Sequence, residues 1–305
     1  MKKLMIPFLL LLLVLLSACG NEAAKDTGSE KKKEEKSTIT YESEAGPVEV
    51  PADPKRVIVL SSFAGNVMAL DTKLVGVDSW SKMNPRYEAL EGVEEVTDDN
   101  LEKIIELNPD LIIGLSNIKN IDKLKEIAPT VTYTYGKVDY LTQHLEIGKL
   151  LNKEEEAQAW IDDFKKRAQT AGDDIKAKIG EDATVSVIEN FDKQLYVFGD
   201  NWARGTEILY QEMKLKMPEK VTEMALKDGF YAISAEVLPE YAGDYMIFSK
   251  NTDGDTSFQE TETYKNIPAV KNNQVFEANA KEFYFNDPIS LDYQLEFFKK
   301  SFLEN

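Results

Sequence analysis

The sequence predicts an α/β fold of two lobes, each with a central, mainly parallel sheet, joined by one long α-helix. Three observations predict it. Short apolar strand candidates alternate with helical stretches in both halves of the chain. One helix-to-strand unit occurs twice, and a single long amphipathic pattern lies between the halves.

Taken in order, residues 1–18 read as a signal peptide. Lys2 and Lys3 give a basic start, and the apolar stretch "FLLLLLVLLSA" is too short and wrongly flanked for a lasting transmembrane helix. Its closing "LSAC" resembles the lipobox of bacterial lipoproteins, in which the cysteine, here Cys19, is acylated, palmitate being one such chain, and becomes the mature N-terminus. Cys19 is the only cysteine, so no disulfide can form within the chain. Residues 19–37 lack large apolar side chains and mix both charges; they cannot bury enough surface to fold and form a lipid-anchored tether. The expected location is the extracytoplasmic face of the cell membrane. With 36 Lys and Arg against 54 Asp and Glu, the net charge of -18 disfavours nucleic acid and anionic lipid, which leaves the N-terminal lipid as the membrane contact.

Residues 38–151 form the expected N-terminal lobe, with strand candidates "RVIVL", "LVGV", "DLIIG" and "TVTYTY". The connecting helix is expected over 152–179, with Asn152 as its cap and Glu155 completing a capping box. Ala157, Trp160, Ile161, Phe164, Ala168, Ala171, Ile175 and Ile179 fall on one stripe, and at 1.5 Å per residue the helix runs about 40 Å, enough to cross between lobes. Residues 180–305 form the C-terminal lobe, with "TVSVIE", "QLYVF", "YMIF" and "QVFEA" as strands. The duplicated unit is "NLEKIIELNPDLIIG" (100–114) and "SAEVLPEYAGDYMIF" (234–248). A constant offset places Glu102 over Glu236, Glu106 over Glu240, Asp110 over Asp244 and Ile112 over Met246.

Enzymatic motifs are missing: there is no Walker-type phosphate loop, G-x-S-x-G elbow or H-E-x-x-H pair. The one histidine, His144, is expected at the surface or the core edge of a helix rather than in catalysis. With one histidine and one cysteine, an imidazole or thiolate metal cage cannot be assembled, so no metal site or cofactor is expected. Aromatic residues make the stronger case. Trp80, Tyr135, Tyr196, Trp202 and Tyr284 lie near predicted strand ends, where ligand clefts of α/β sheets form. Trp202 and Arg204 stand in "GDNWARG", just ahead of a helix-like run. A cation beside a helix N-terminus is mildly unfavourable unless something negative shares the site.

"DATVSVIENFDKQLYVFGDNWARG", "YAGDYMIF" and "YFNDPISLDY" resemble the ferric hydroxamate siderophore-binding lipoproteins of Gram-positive bacteria, class III substrate-binding proteins that serve ABC importers; "PDLIIG" and "APTV" are more generic to the class. The resemblance covers most of the mature chain. It implies two α/β lobes, a single connecting helix and a shallow cleft, with Trp202, Arg204, Tyr196, Tyr284 and Tyr135 contacting the ligand. Tyr284 stands where close relatives carry tryptophan, and Leu115 where relatives carry a tyrosine, a departure that bears on which hydroxamate is preferred. It also implies that Glu102 and Glu236, one per lobe, dock on arginines of a permease dimer; a carboxylate favoured by a helix N-terminus explains the residue type equally well.

A ferric trihydroxamate is close to neutral, with partly negative oxygens around iron and an apolar periphery. One guanidinium can reach several of those oxygens while aromatic rings pack the outside. More anionic ferric complexes call for several basic residues, and Arg204 is the one cation among the candidate positions. The glycines of the loop are expected to let its backbone come close to the ligand. The expected function is therefore capture of ferrichrome- or ferrioxamine-type complexes by a monomer and delivery to an ABC permease, the iron held by the siderophore. Haem or vitamin B12 binding, or an extracytoplasmic enzyme, are the alternatives.

Overall fold

The computed structural model describes residues 37–304. The expected signal peptide, Cys19 and the tether up to residue 36 lie outside the described residues.

An antiparallel hairpin, β1 (Thr38–Ser43) with β2 (Gly46–Pro51), leads into the first sheet. Its strands are β3 (Val57–Val59), β4 (Leu74–Val77), β5 (Glu94–Glu95), β6 (Leu111–Leu115) and β7 (Thr130–Tyr133), in the order β5-β4-β3-β6-β7 and parallel throughout. β3 is buried over its whole length, as expected of a strand covered on both faces. The second sheet contains β8 (Val185–Phe191), β9 (Gln194–Phe198), β10 (Phe230–Ile233), β11 (Tyr245–Lys250) and β12 (Val275–Asn279), ordered β10-β9-β8-β11-β12. Here β8, β11 and β12 are parallel, whereas β9 runs against both of its neighbours. The fold class is thus the α/β, two-sheet arrangement with a long helix that the sequence predicts.

The duplicated unit does the same structural work in each half. Asp110 accepts from the backbone N–H of Lys55 (2.7 Å) and Arg56 (2.9 Å), which fastens the segment entering β6 to the one entering β3. Asp244 accepts from the N–H and the hydroxyl of Thr184, both at 2.8 Å, and so fastens β11 to β8.

The long helix spans Glu154–Ile179 and buries Ala157, Ile161, Phe164, Ala168, Ala171 and Ile175, the core of the expected stripe. Its start differs from expectation. Asn152 is not the cap: it takes a left-handed conformation (φ 57°) beyond the preceding helix, Tyr140–Leu150. The Asn152 N–H reaches the Lys149 carbonyl and the Lys153 N–H the Gly148 carbonyl, the paired bonds of a Schellman stop. Asparagine tolerates that conformation, so the residue that seemed to open one helix closes the other. Glu154, Glu155 and Glu156 instead stabilise the new N-terminus by their charge.

A second connection between the sheets comes from the C-terminus. Ala280, Tyr284 and Phe285 belong to the apolar core under the first sheet, together with Val57, Val59 and Phe63. Asp287 is 1 % exposed and caps the helix Pro288–Leu303, accepting from the N–H of Ile289 (3.0 Å) and the hydroxyl of Ser290 (2.8 Å). The same carboxylate accepts the Tyr87 phenol, and Asn84 reaches Ser290 at 3.2 Å. Nearby, the Arg86 guanidinium lies 3.8 Å over the Tyr293 ring and donates to Glu282 at 2.7 Å. Gly65 passes so close that a Cβ there would overlap the Asp287 carboxylate.

His144 is buried (1 % exposed), not at the surface. It meets Asn66 at 3.1 Å through Nδ1 and packs edge-on to Trp160 at 5.3 Å. Burial pushes its imidazolium down from 6.5 to about 4, so the unfolded chain binds this proton more readily than the folded one between those pH values. Its contribution to stability is therefore present above the unfolded value and lost as pH falls toward the folded one, by about 1.4 kcal/mol per pH unit within the window. In thermal melts at pH 7 and pH 4.5, His144→Gln is expected to lose less stability on acidification than the parent protein; identical losses would contradict the assignment.

Candidate functional site

The loop between β9 and the next helical segment carries an unusual backbone. Ala203, Arg204 and Gly205 all have positive φ (55°, 59° and 78°), forming a short left-handed turn that costs roughly 1–2 kcal/mol for each non-glycine residue. Local hydrogen bonds hold it. The Ala203 N–H donates to Glu207 Oε1 at 2.9 Å, the Arg204 N–H to the Phe283 carbonyl at 2.7 Å, and the Thr206 hydroxyl to the Ala203 carbonyl at 2.7 Å. Glu207 is buried and also accepts from Asn286 Nδ2 at 3.0 Å. Burial raises its pKa, against the stabilising hydrogen bonds from the Ala203 amide and the other donors around it. A π-helical segment, Glu207–Glu212, follows the turn directly. Strained backbone beside a π-turn is a recurring signature of functional sites.

The turn presents Arg204 sideways into a wall of rings. Its guanidinium carbon lies 4.9 Å from the centroids of both Phe198 and Tyr284. Tyr284 in turn stacks on Trp80, centroids 4.8 Å apart and planes 19° from parallel, which joins the two halves of the molecule at this point. Trp202 packs edge-on to Tyr135 (6.0 Å) and tilted against Phe230 (5.0 Å), and Phe230 meets Tyr196 edge-on at 6.0 Å. All six residues selected from the sequence therefore fall in two adjoining ring clusters, one around Arg204 and one around Trp202. Burial, and then the nearby Glu189 carboxylate, push the Tyr284 phenol up, so it meets a ligand as a neutral hydroxyl. Leu115 ends β6 half-buried against the core under the first sheet.

A cavity of about 820 Å³ opens alongside, lined from both halves by residues such as Asn66, Tyr135, Tyr140, Glu207, Glu212 and Asn286. Of the six selected residues only Tyr135 borders it. Its lining is dominated by amides, hydroxyls and charges, whereas the ring clusters offer apolar area with one guanidinium. The ring clusters, which combine apolar area with one guanidinium, are the candidate surface for an organic ligand, and the polar cavity adjoins them at Tyr135.

Several participants were not evident from the sequence. Arg204 is not a free charge, because Glu189, fully buried in β8, accepts from its Nη2 at 2.9 Å and its Nε at 3.2 Å. In the sequence Glu189 stands as a charged residue at the end of the apolar stretch "TVSVIE", and that mismatch is the available signal. Phe230, 36 % exposed, lies on the unpredicted edge strand β10. The loop glycines also act differently from expectation: a Cβ on Gly205 would overlap Phe298, and one on Gly199 would lie 2.8 Å from the Ala225 carbonyl. They make room for the protein itself rather than for a ligand. Glu102 and Glu236 are both exposed near the N-terminal ends of their helical segments. Asn100 caps the first segment, and a hydrogen bond from Ser234 holds the Glu236 carboxyl below its usual range. Among the described residues, no group of three His, Cys, Asp or Glu side chains is placed to hold a metal ion.

Gly229 (φ 84°) supports Trp202: a Cβ there would lie 2.7 Å from the indole Cε3. Gly229→Ala is expected to move the indole and lower stability by about 1 kcal/mol or more, because the left-handed conformation disfavours alanine. Tryptophan emission and the melting temperature read both effects; if neither changes, the indole is not seated on that glycine.

Comparison with known proteins identifies the family. A family model described as "Periplasmic binding protein" matches residues 59–282. The iron(3+)-hydroxamate-binding proteins YxeB and FhuD of Bacillus subtilis are each 38 % identical to this chain; YxeB aligns over 97 % of this chain and 95 % of its own length, FhuD over 96 % and 95 %. The structure of FhuD2 from Staphylococcus aureus with bound ferrioxamine B superimposes with a TM-score of 0.78 at 34 % identity, covering 82 % of this chain and 99 % of that one. With a family model matching most of its length and near full-length relatives above 30 % identity, this chain belongs to the periplasmic binding protein family.

Proposed function

We propose that this protein captures ferric hydroxamate siderophores on the ring wall between its two sheets and passes them to an ABC permease dimer, without chemistry on the ligand. The observation that carries this reading is the Arg204 guanidinium set between the Phe198 and Tyr284 rings, with Trp80, Trp202, Tyr135, Tyr196 and Phe230 around it. The edge of the guanidinium turned away from Glu189 can donate to hydroxamate oxygens while the rings cover the organic shell. Relatives named for iron(3+)-hydroxamate binding, and a structural neighbour holding ferrioxamine B, support the same class. The iron is cargo and stays on the siderophore oxygens, with the Tyr284 ring packing the organic shell.

The mature protein is expected to be a monomer on the extracytoplasmic face of the membrane, anchored through Cys19, with Glu102 and Glu236 meeting the permease. Relatives described as siderophore-binding or substrate-binding lipoproteins support that location.

Titration of the purified protein with ferrichrome and ferrioxamine B, followed by tryptophan fluorescence, is expected to give saturable quenching, with the ligand mass unchanged after incubation. No saturation with any ferric hydroxamate would refute the binding reading, and an altered ligand mass would refute the absence of chemistry. Charge reversal at both Glu102 and Glu236 is expected to leave that titration unchanged and to impair iron uptake in cells; normal uptake would remove the docking role.

A further inference from the structure

Glu189 occupies the interior of the second sheet, flanked across the ladder by Tyr196 on β9 and Ser249 on β11, and none of its surface reaches solvent. Burying a carboxylate there is costly unless it is paired and hydrogen-bonded, and an apolar residue of similar volume would serve the packing at least as well. It is fully partnered. One oxygen takes Arg204 Nη2 at 2.9 Å, and the other takes Arg204 Nε at 3.2 Å and the Ser249 hydroxyl at 2.6 Å. On the far side of the guanidinium, Nη1 makes only a long contact of 3.4 Å to the Trp202 carbonyl, and the side chain keeps 13 % of its surface. A donor thus remains for a ligand, but the positive charge behind it is already matched. Asp192 and Asp253 also act on the Tyr284 phenol and add negative potential nearby, and Lys281 at 3.2 Å offsets Asp253.

We infer that Glu189 determines the charge class of the cargo: by fixing Arg204 and cancelling its charge, it lets the wall accept neutral or cationic ferric complexes and reject anionic ones. The inference rests on the ferric hydroxamate reading of this wall. An unmatched guanidinium in a poorly solvated site attracts anions strongly, because Coulomb interactions there are little screened. Matched by Glu189, it offers a hydrogen bond without a net charge, suited to the partly negative oxygens of a neutral trihydroxamate core. The carboxylate is therefore a positioning and selectivity residue that does not itself touch the ligand.

The test compares affinities for neutral ferrichrome, cationic ferrioxamine B and the anionic ferric citrate complex. Glu189→Gln leaves Arg204 unmatched and is expected to raise the ratio of ferric citrate to ferrichrome affinity by about tenfold or more, the scale of a single close charge pair. The double variant Glu189→Gln/Arg204→Gln has no net charge at the pair, as in the parent; its affinities fall together and the ratio stays near the parental one. Because the double variant carries no unpaired buried charge, it answers the question even if the single variant fails to fold. A folded Glu189→Gln with an unchanged ratio, or a double variant whose ratio falls well below the parental one, overturns the inference. If the parent binds neither hydroxamate, the functional reading of the wall fails instead, a distinct result.

Discussion

The left-handed turn at Ala203, Arg204 and Gly205 is the constraint on which the site depends. A chain of L-residues does not hold such a turn unaided, and here the stabilisation comes from one buried side chain just beyond the turn, Glu207 to the Ala203 amide, and one distant carbonyl, that of Phe283, to the Arg204 amide. From this turn the Arg204 side chain reaches Glu189 on β8, while the Trp202 indole lies against Gly229. Two side chains only two residues apart are thus placed in two separate ring clusters.

The turn is in turn tied to the segment "YFNDP", and each of its residues has a distinct task. Tyr284 stacks on Trp80, Phe285 enters the first core, Asn286 satisfies Glu207, Asp287 caps the final helix and meets Tyr87, and Pro288 begins that helix. A buried aspartate is ordinarily a liability; four donors make it a junction. This explains how a ligand wall built from both sheets keeps its spacing. The long helix Glu154–Ile179 provides one link between the sheets, and the Asp287 cluster provides another on the side facing the wall.

Much of this was legible in the sequence because it follows from periodicity. Buried parallel strands such as "DLIIG" announce themselves by continuous apolar runs, and the long helix by its stripe. Two of the four edge strands escaped for a physical reason: β5 is two exposed glutamates and β10 leaves Phe230, Tyr231 and Ala232 exposed, so neither carries a burial pattern. The repeat was visible, yet its aspartates needed coordinates to be understood as clasps between neighbouring strands. Asn152 misled because the same residue type suits a helix start and a left-handed stop, and only the hydrogen bonds distinguish them. At the site, residue types were readable and partnerships were not. Glu189 and Arg204 are brought together by sheet geometry and the turn, neither of which is written in local composition.

The core beneath the first sheet includes Ala280, Tyr284 and Phe285, which the chain supplies almost last. Synthesis proceeds from the N-terminus, and a lobe whose elements are contiguous can fold as soon as it is made. Here the first sheet is made long before the residues that close its core, so the early half stays incompletely covered until residues 280–285 have been produced. A truncation near the C-terminus therefore damages the lobe farthest from it in sequence, and the two lobes mature together rather than in turn.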